Sequence, residues 1–353
     1  MTSKRLAAAL AGGLFSVAAL AGCGSDSGGG ELAGSWDGIV EAAKKEGEVV
    51  IYGTVAPPDN LELLKKAFEK KYPDIELTYV RGTDADLLPK VEIENQTGRG
   101  TADVHMTTDA GWIDRSADGG YSVDIVGPSF DNEDYDRSNS VIDDQWFLTS
   151  ATVFGLGWNT QKLPNGVTSP EDLLAANLKG GKLGVTNPAG IPTYVDMYRT
   201  IDEDFGTDYV DRLAAMDPRV YDSAVAIGQA IASGEIWASP TIGSTILTEK
   251  ANGAPVEFII PEKPFGVPCT ATSSRRRRTP NAAQVLADFL VTPEGQAAIS
   301  HDFVPALPDI EGTGVAGSDL LAQEIPPLGD PPDELSGDSV AAYQEEWEKQ
   351  FLD

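Results

Sequence analysis

The pattern that decides the fold lies in residues 48–82, EVVIYGTVAPPDNLELLKKAFEKKYPDIELTYVRG. It begins with a short apolar run, Glu48–Tyr52, which is typical of a buried strand. Pro73 closes the helical segment that follows, and Ile75–Val80 then alternates as a second strand does. Between the two strands, apolar residues recur at helical spacing, at Leu61, Leu64, Phe68 and Tyr72.

The same alternation continues on both sides of this stretch. A helix is predicted over 36–45, another over 84–96, and a third strand over 102–106. This alternation of strands and helices predicts a parallel sheet with right-handed crossovers. In such sheets, ligands bind beyond the carboxyl ends of the strands. Each loop at those ends is as typical of ordinary turns and caps as of a site, but the set favours a binding crevice. The loops carry small or hydroxyl-bearing residues: Gly53–Thr54, Gly82–Thr83 and Thr107–Asp109.

A second region follows a long strand candidate at residues 146–158, WFLTSATVFGLGW, which we expect to cross between two lobes. Two domains also agree with a length of 353 residues. We predict a strand at Pro255–Ile260 that returns towards the first region, and a final amphipathic helix at Ser339–Phe351. Further strands and helices are predicted over 183–186, 195–201, 209–216, 223–234, 236–238, from 281 and from 292.

The charge of the chain restricts its partners. The formal net charge is −29, and such acidity disfavours nucleic acid as a partner. One basic run, Arg275–Arg278, interrupts this acidity. A solvated loop before the next helix is the favoured interpretation of this run, and a docking patch for an acidic partner is the alternative.

The N-terminus has the features of a secretory signal peptide. Lys4 and Arg5 precede a weakly apolar run that ends near Ala21, and the run is short for a membrane-spanning helix, which needs ~20 residues. The residues LAGC, Leu20–Cys23, resemble the lipoprotein box of bacteria. That resemblance implies cleavage before Cys23 and a lipid on its sulfur, and the glycine- and serine-rich residues that follow predict a flexible tether.

Only two cysteines are present, Cys23 and Cys269. If Cys23 carries a lipid, Cys269 is expected to be a free, partly buried thiol. A disulfide between them would require an unprocessed Cys23.

Ordered segments across almost the whole chain after Trp36 resemble the solute-binding proteins of ABC importers, and most of all the group that contains ferric-iron carriers. The segments that carry this resemblance are AKKEGEVVIYGT, LLKKAFEKKYPDIELTYVRG, ADVHMTTDAGWI, VFGLGWNTQKLP, DPRVYDSAVAIGQAIASGE, ANGAPVEFIIPE and PNAAQVLADFLVTPEGQ.

The resemblance implies a type 2 periplasmic-binding-protein fold: two α/β, Rossmann-like lobes with mixed, mostly parallel sheets, joined by crossing hinge strands. The lobes would close on a solute, and the closed form would engage an ABC permease and its ATPase. The protein is expected to be a monomer anchored on the extracytoplasmic face of the membrane. The expected divisions are a signal peptide at 1–22, a tether at 23–35, lobe 1 at 36–135 and 264–305, and lobe 2 at 136–263 and 306–353.

The chain departs from the iron carriers where their tyrosine ligands lie. The corresponding segment, SPTIGSTILTEK (239–250), has hydroxyls but no tyrosine, and GTVAPPDN (53–60) has neither histidine nor tyrosine. Ferric iron prefers anionic oxygen ligands. We therefore expect a small polar, anionic solute, no cofactor and no resident metal, with ferric iron or an iron complex as the alternative.

Hydroxyl groups and helix N-termini are the expected anion-binding groups. Tyr194 and Tyr221 are as compatible with the core as with an aromatic side of the cleft. The predicted ligand-binding residues are Thr54, Thr83, Thr108, Asp109, Ser150, Thr193, Tyr194, Tyr221, Ser223, Thr241 and Ser244.

A secreted hydrolase is the rival class of function. The sequence has no G-x-S-x-G elbow, no HExxH motif, no P-loop and no dinucleotide fingerprint. The two histidines, His105 and His301, give little support to a catalytic triad. We therefore expect a carrier and not an enzyme.

Overall fold

The computed structural model describes residues 31–54, 56–189, 192–311, 319–325 and 337–352. The predicted signal peptide and the Cys23 lipidation site lie outside these residues. Within the described ranges, no helix is both long and apolar enough to cross a membrane.

The first lobe is built on parallel strands with helices between them, as the sequence predicts. Ile51 lies opposite both Tyr79 and Val104, so the first strand is central. In chain order the elements are α1 (Trp36–Glu46), β1 (Glu48–Gly53), α2 (Pro58–Lys71), β2 (Glu76–Arg81), α3 (Asp84–Thr97), β3 (Val104–Thr107) and α4 (Ala110–Gly119). Gly47, Gly98 and Gly120 end α1, α3 and α4 in the left-handed conformation that glycine adopts without strain.

A loop-rich segment connects this sheet to the long strand. It contains three short elements, β4 (Ser122–Val123), α5 (Arg137–Ser140) and β5 (Val141–Ile142), and a turn of 3-10 helix at Pro128–Asp131. The long strand is β6 (Trp146–Asn159). It is buried over nearly its whole length because both lobes pack against it.

The second lobe repeats the strand–helix alternation. Thr186 lies opposite Tyr221 in a parallel pair, and Leu183 forms a parallel bridge with Ala238. The elements are β7 (Gly184–Thr186), α6 (Pro192–Phe205), α7 (Tyr209–Ala214), β8 (Arg219–Tyr221), α8 (Ala224–Ser233), β9 (Ala238–Ile242), α9 (Gly243–Ala251) and β10 (Val256–Ile259). Two turns of 3-10 helix precede them, at Pro170–Leu174 and Ala176–Leu178.

The chain returns to the first lobe through β11 (Phe265–Ser274), which runs antiparallel to β6. Cys269 lies opposite Ser150, but Thr270 lies opposite Leu148, so Thr149 is an extra, bulged residue. These two strands cross between the lobes, and the register shift marks the crossing point. The remaining elements are α10 (Pro280–Leu290), α11 (Pro293–Ile299), β12 (Val304–Pro305), a 3-10 turn at Ala322–Glu324 and α12 (Gly337–Phe351).

Two strand predictions need correction. The strand near Trp237 begins later than predicted, at Ala238, and continues to Ile242. It includes Pro240, which lies opposite Leu156 of β6. Proline is compatible with a strand where its missing N–H is not needed for pairing. The strand at Val256–Ile259 does not return to the first lobe. It pairs with the second-lobe half of β6, from Leu156 to Asn159, and β11 makes the return instead.

Whereas β7 and β8 form a separate parallel pair, the antiparallel crossing strands extend the parallel sheet of the first lobe into one large mixed sheet. Its order is β10-β6-β11-β3-β1-β2, and β9 also pairs with β6. Tyr343, Trp347 and Phe351 of α12 pack into the core of the second lobe beside Tyr198, as expected for a core stripe. The fold therefore consists of two α/β lobes that share their longest strand.

Candidate functional site

The carboxyl ends of the parallel strands in the two lobes face each other along β6. In the first lobe, Thr107 at the end of β3 lies opposite Thr270, which lies opposite Leu148 of β6. In the second lobe, Ile242 at the end of β9 lies opposite Phe154 of β6. At a rise of ~3.3 Å per residue, the two edges are about 20 Å apart along this strand. Side chains from both edges fill part of this distance, and the space that remains between the edges suits a small molecule.

The first-lobe edge is organised by a carboxylate that sequence analysis did not select. Asp84, in the first turn of α3, accepts hydrogen bonds from Thr107 Oγ1 (2.9 Å) and from the N–H and hydroxyl of Thr108 (3.2 and 2.8 Å). Thr54 is buried and donates to the Met106 carbonyl (2.8 Å). The structure therefore brings Thr54 and Thr108 to one edge, where Asp84 fixes the position of Thr108.

Thr83 and Asp109 both act as helix caps. Thr83 is the N-cap of α3 and exchanges hydrogen bonds with Asp86 in a capping box. Asp109 is the N-cap of α4, and its carboxylate accepts from Trp112 N (2.7 Å). The N-terminal ends of these two helices are therefore already occupied by the protein's own carboxylates.

The second-lobe edge offers helix N-termini with less negative charge. Ser223 is the N-cap of α8 and accepts from Ala226 N (3.2 Å). Helix α9 begins directly after β9 without any side-chain cap, and half-buried Ser244 lies in its first turn. The N–H groups of an uncapped first turn lack intrahelical partners.

Tyr194 lies at the same edge. Its ring packs edge-to-face on Phe154, with 5.8 Å between the ring centroids, and its hydroxyl lies at the backbone N–H of Ala224 at the start of α8. Burial raises the pKa of Tyr194 to about 12. The hydroxyl therefore stays protonated near neutral pH. Thr193 precedes it, half-buried in the first turn of α6.

Two of the predicted ligand-binding residues, Tyr221 and Thr241, point away from the second-lobe edge. The Tyr221 hydroxyl donates to Glu235 (3.0 Å), beyond the C-terminal end of α8, whereas Ser223 caps the opposite end. Thr241 is fully buried. Its methyl group lies towards Gly157, on the face of the sheet that α9 covers. Its hydroxyl has no hydrogen-bond partner among the described residues. The structure thus places both side chains in lobe packing.

Ser150 occupies the crossing point itself. It is buried, opposite Cys269 on one side and Pro305 on the other. The cavity at this point is small and mainly apolar, and it is lined by Ala56, Met106, Ser150, Cys269, Ile299 and Phe303. Ser150 therefore lies between the two edges.

The donor groups do not form a conventional metal centre. Among the described residues, no three His, Cys, Asp or Glu side chains are grouped so that they could hold a metal ion. Burial and the neighbouring Glu235 raise the pKa of Tyr221 to about 12, as burial does for Tyr194, so both phenols favour the neutral form.

Comparison with known families identifies the chain. The family model for bacterial extracellular solute-binding proteins matches residues 64–316, which is more than half of the chain. The chain belongs to the bacterial extracellular solute-binding proteins. It is a solute-binding component of the ABC-importer type, it acts outside the cytoplasm, and its family is one of non-catalytic transport proteins.

Solved structures confirm the two-lobed fold of this solute-binding protein. Iron-bound HitA from Pseudomonas aeruginosa is 18% identical and superposes with a TM-score of 0.66 over 85% of this chain and 99% of that chain. AfuA from Actinobacillus pleuropneumoniae, solved with fructose-6-phosphate, is 20% identical with a TM-score of 0.63 over 87% and 99%.

A substrate-binding protein of an ABC transporter from Agrobacterium tumefaciens is 14% identical with a TM-score of 0.69 over 88% and 97%. No curated protein matches the chain by sequence. The predicted resemblance to the ferric-iron-carrier group is confirmed at the level of fold, since ferric-ion-binding proteins are among these neighbours.

Proposed function

We propose that this solute-binding protein captures a small polar, anionic solute between its two lobes and delivers it to an ABC permease. The observation that carries the proposal is the uncapped N-terminus of α9, which lies at the second-lobe edge and faces the first lobe. The unpaired N–H groups and the dipole of a helix N-terminus favour an anionic group. Ser244 in the first turn would add a hydroxyl.

The two edges differ in charge, and this difference suggests how the solute lies. The first-lobe edge carries Asp84 and Asp109, whereas the second-lobe edge carries the starts of α8 and α9. We propose that the anionic group binds the second lobe and that hydroxyl or amine groups of the solute approach the first. The sugar phosphate bound to AfuA combines an anionic group with hydroxyls in this way.

Ferric iron, or iron in a complex, is the second candidate. It is supported by the fold shared with iron-bound HitA and with FutA from Trichodesmium, which was solved with iron and citrate. The segment 239–250 nevertheless offers hydroxyls instead of phenols. Neutral hydroxyls are weak ligands for ferric iron, so a complex that presents carboxylates fits these residues better than the bare ion.

A catalytic role finds no support in the one fully buried histidine. Burial lowers the pKa of His105 to about 3, and its ring packs edge-to-face on Trp112 and Trp146. His105 Nδ1 lies 3.2 Å from Ser274 Oγ, but Nε2 has no partner within the described part of the chain. A histidine that cannot accept a proton near neutral pH is a poor general base.

The finer features of the proposal concern attachment and motion. We propose that Cys23 carries a lipid after removal of residues 1–22, and that residues 23–35 tether a monomeric carrier to the outer face of the membrane. We also propose that the lobes, divided as 36–135 with 264–305 and 136–263 with 306–353, close about the crossing strands. Mass spectrometry of the protein from native membranes would show whether Cys23 is acylated.

A melting-shift panel tests the ligand class directly. Phosphate, sulfate, sugar phosphates, phosphonates, citrate and ferric citrate are compared, because a ligand at a hundredfold excess over its Kd stabilises the folded protein by about 2.7 kcal/mol. We expect an anionic organic solute to raise the Tm by several degrees. A strong shift with ferric salts alone would overturn the anion proposal, and turnover of a compound without stoichiometric binding would overturn the carrier proposal.

Variants locate the site once a ligand is found. We expect Ser244→Ala to weaken binding about 10- to 150-fold, the value of one hydrogen bond to a charged group. Ser233→Ala is the control, because Ser233 lies at the far, C-terminal end of α8 and donates to Ala230 O. Equal affinity in both variants would place the anion elsewhere.

A further inference from the structure

The basic run at Arg275–Arg278 lies at the edge of the first lobe that is opposite the cleft. Strand β11 runs antiparallel to β3, so Ser273 lies opposite Val104 at the start of β3, whereas Thr270 lies opposite Thr107 at its end. The arginines follow β11 directly. They therefore extend from the amino edge of the sheet, away from the carboxyl edge that forms the candidate site.

Several contacts gather basic side chains at this edge. The carbonyl oxygen of Arg276 lies so close to Gly100 that a Cβ on Gly100 would collide with it. Arg99, which is exposed and precedes Gly100, is therefore close to Arg276. Arg275 N donates to Tyr121 O (2.7 Å), and the N–H of Arg278 donates to the buried carboxylate of Asp103 (2.8 Å). We call Arg99, Arg275, Arg276 and Arg278 the arginine edge.

The acidic groups nearby are largely engaged. Asp103 is buried, and Glu46 accepts from the side chain of Asn281 and the N–H of Ala282 (both 2.7 Å). Glu48 pairs with Arg278 (3.1 Å). Among the described residues, no carboxylate lies within 4.0 Å of the guanidinium groups of Arg275 or Arg276. The positive charges of Arg275 and Arg276 thus have no ion-pair partner among the described residues, on a protein whose net charge is −29.

The N-terminal segment joins the fold at this same edge. Ala33 N donates to Asn281 Oδ1 (3.0 Å), and Asn281 Nδ2 donates to the Glu31 carbonyl (3.4 Å). Asn281 lies in the first turn of α10, directly after the arginine loop. The residues between Cys23 and Glu31 can span at most about 27 Å. A lipid on Cys23 would therefore hold the arginine edge within that distance of the bilayer.

We infer that the arginine edge binds anionic phospholipid headgroups and orients the anchored carrier on the membrane. The inference depends on the lipid anchor proposed above. Each Lys or Arg near an anionic leaflet contributes about 1 kcal/mol, and the field decays over a Debye length of about 8 Å at physiological salt. The net charge of −29 opposes contact elsewhere on average, so this edge is favoured as the contact.

Arginine footprinting on tethered protein tests this orientation. The chain from residue 23 is coupled through Cys23 to a maleimide lipid, since Cys269 is buried. It is placed on phosphatidylcholine vesicles with or without phosphatidylglycerol and treated with phenylglyoxal. We expect Arg275 and Arg276 to react several-fold more slowly on the anionic vesicles. Arg115 of α4, whose side chain is 66% exposed, is the internal control and should react equally on both.

Salt and charge variants complete the test. Raising the salt to about 1 M, where the Debye length is about 3 Å, should abolish the protection. Vesicle co-sedimentation of the untethered chain should fall about 10- to 30-fold in the Arg275→Ser, Arg276→Ser variant, because two arginines are lost. Lys66→Ser with Lys70→Ser on α2 removes the same charge from exposed positions and should change binding less than twofold.

Three outcomes would overturn the inference: equal reactivity on both kinds of vesicle, protection of Arg115 to the same extent, or equal loss of binding in both variants. Because the lipid is attached chemically, these outcomes do not depend on acylation in the cell. They are also independent of solute binding, which the melting panel reports separately. An unacylated Cys23 in native membranes would instead remove the anchor proposal itself.

Discussion

Gln296 donates a hydrogen bond from Nε2 to the carbonyl of Thr149 (2.9 Å) at the point where the two crossing strands lose register. Ser300 Oγ donates to the same carbonyl (3.2 Å). Gln296 also donates to Leu290 O and accepts from Ala306 N (both 2.8 Å). The bulged residue of β6 is therefore held by α11, and the crossing point is fixed to the first lobe.

Replacing this glutamine should destabilise the whole fold. Gln296→Leu keeps the approximate volume but leaves the Thr149 carbonyl with one donor fewer and the Ala306 N–H unpaired, and both groups are buried. We expect a loss of about 3 kcal/mol in the free energy of unfolding, measured by urea denaturation. Gln161→Leu, at an exposed position, is the control and should stay within ~0.5 kcal/mol of the parent. An unchanged unfolding midpoint for Gln296→Leu would show that the bulge is held by other contacts.

A second hydrogen bond joins the proposed lobes directly. Thr248 Oγ1 of α9 donates to the Ser244 carbonyl one turn earlier (2.9 Å) and shares this proton with Asp302 Oδ2 (3.3 Å), just after α11. Because the bond is exposed, its loss should cost little stability, but it would favour separation of the lobes. We expect Thr248→Val to raise the dissociation rate of the solute about 2- to 10-fold with little change in association, as stopped-flow kinetics would measure.

The control for this variant is Thr97→Val. Thr97 also donates to a backbone carbonyl one helical turn earlier, and it lies at the end of α3 in the first lobe. If both variants release the solute at the parental rate, the bond between Thr248 and Asp302 does not hold the lobes together.

Asp196 predicts a pH-dependent stability. It is 5% exposed, its Oδ1 has no partner among the described residues, and burial raises its pKa to about 6, against the opposing effect of Arg199. A carboxyl group whose pKa is higher in the folded protein than in the unfolded chain binds its proton on folding. The contribution of Asp196 to the free energy of unfolding is therefore fully present below pH ~4 and is lost as the pH rises through 6.

Asp196→Asn removes this dependence. We expect the variant to be more stable than the parent above pH 7, by up to about 3 kcal/mol, and equal to it near pH 4. Urea denaturation across that range measures the difference, and Glu203→Gln, exposed on the same helix, should show none. A constant offset between Asp196→Asn and the parent at all pH values would contradict the proposed titration.

The helices and strands that could be predicted from the sequence are those that a local residue pattern determines. The strand and helix between Glu48 and Tyr72 were predicted to within a few residues, because apolar period and helix-ending residues determine both. The crossing strand was predicted over 146–158 as a long strand candidate, and the structure extends it by one residue, to Asn159. Helix α9 was not predicted, since Gly243 and a row of hydroxyls disfavour a helix locally and packing against β6 and β10 outweighs that preference.

The candidate site was predictable in position but not in detail. Hydroxyls at strand ends indicated the edge that Thr54 and Thr108 occupy. Nothing local showed that Asp84 would bind both Thr107 and Thr108, because that contact depends on how α3 packs against the end of β3. Tyr221 was equally compatible with the core and with the cleft, and only the fold shows that its hydroxyl donates to Glu235.

The two cysteines should differ sharply in reactivity. Cys269 is 1% exposed in β11, and burial raises its pKa to about 12, so its thiolate population near neutral pH is very small. We expect the chain that begins at Cys23, before acylation, to present one fast thiol to a maleimide. Labelling of Cys269 should be at least about a hundredfold slower, and peptide mass spectrometry identifies the labelled residue.

A Cys23→Ser variant separates the explanations. It should show no fast thiol in the native state and one thiol after unfolding, because Cys269 alone remains. Fast labelling of native Cys269 would mean that β11 opens beside Ser150, so the crossing strands would be a mobile hinge with access to solvent. A disulfide between the two cysteines in the parent would exclude acylation of Cys23. Slow labelling of Cys269 leaves Cys23 as the one thiol free to carry a lipid, as the proposed anchor and the arginine edge beside it require.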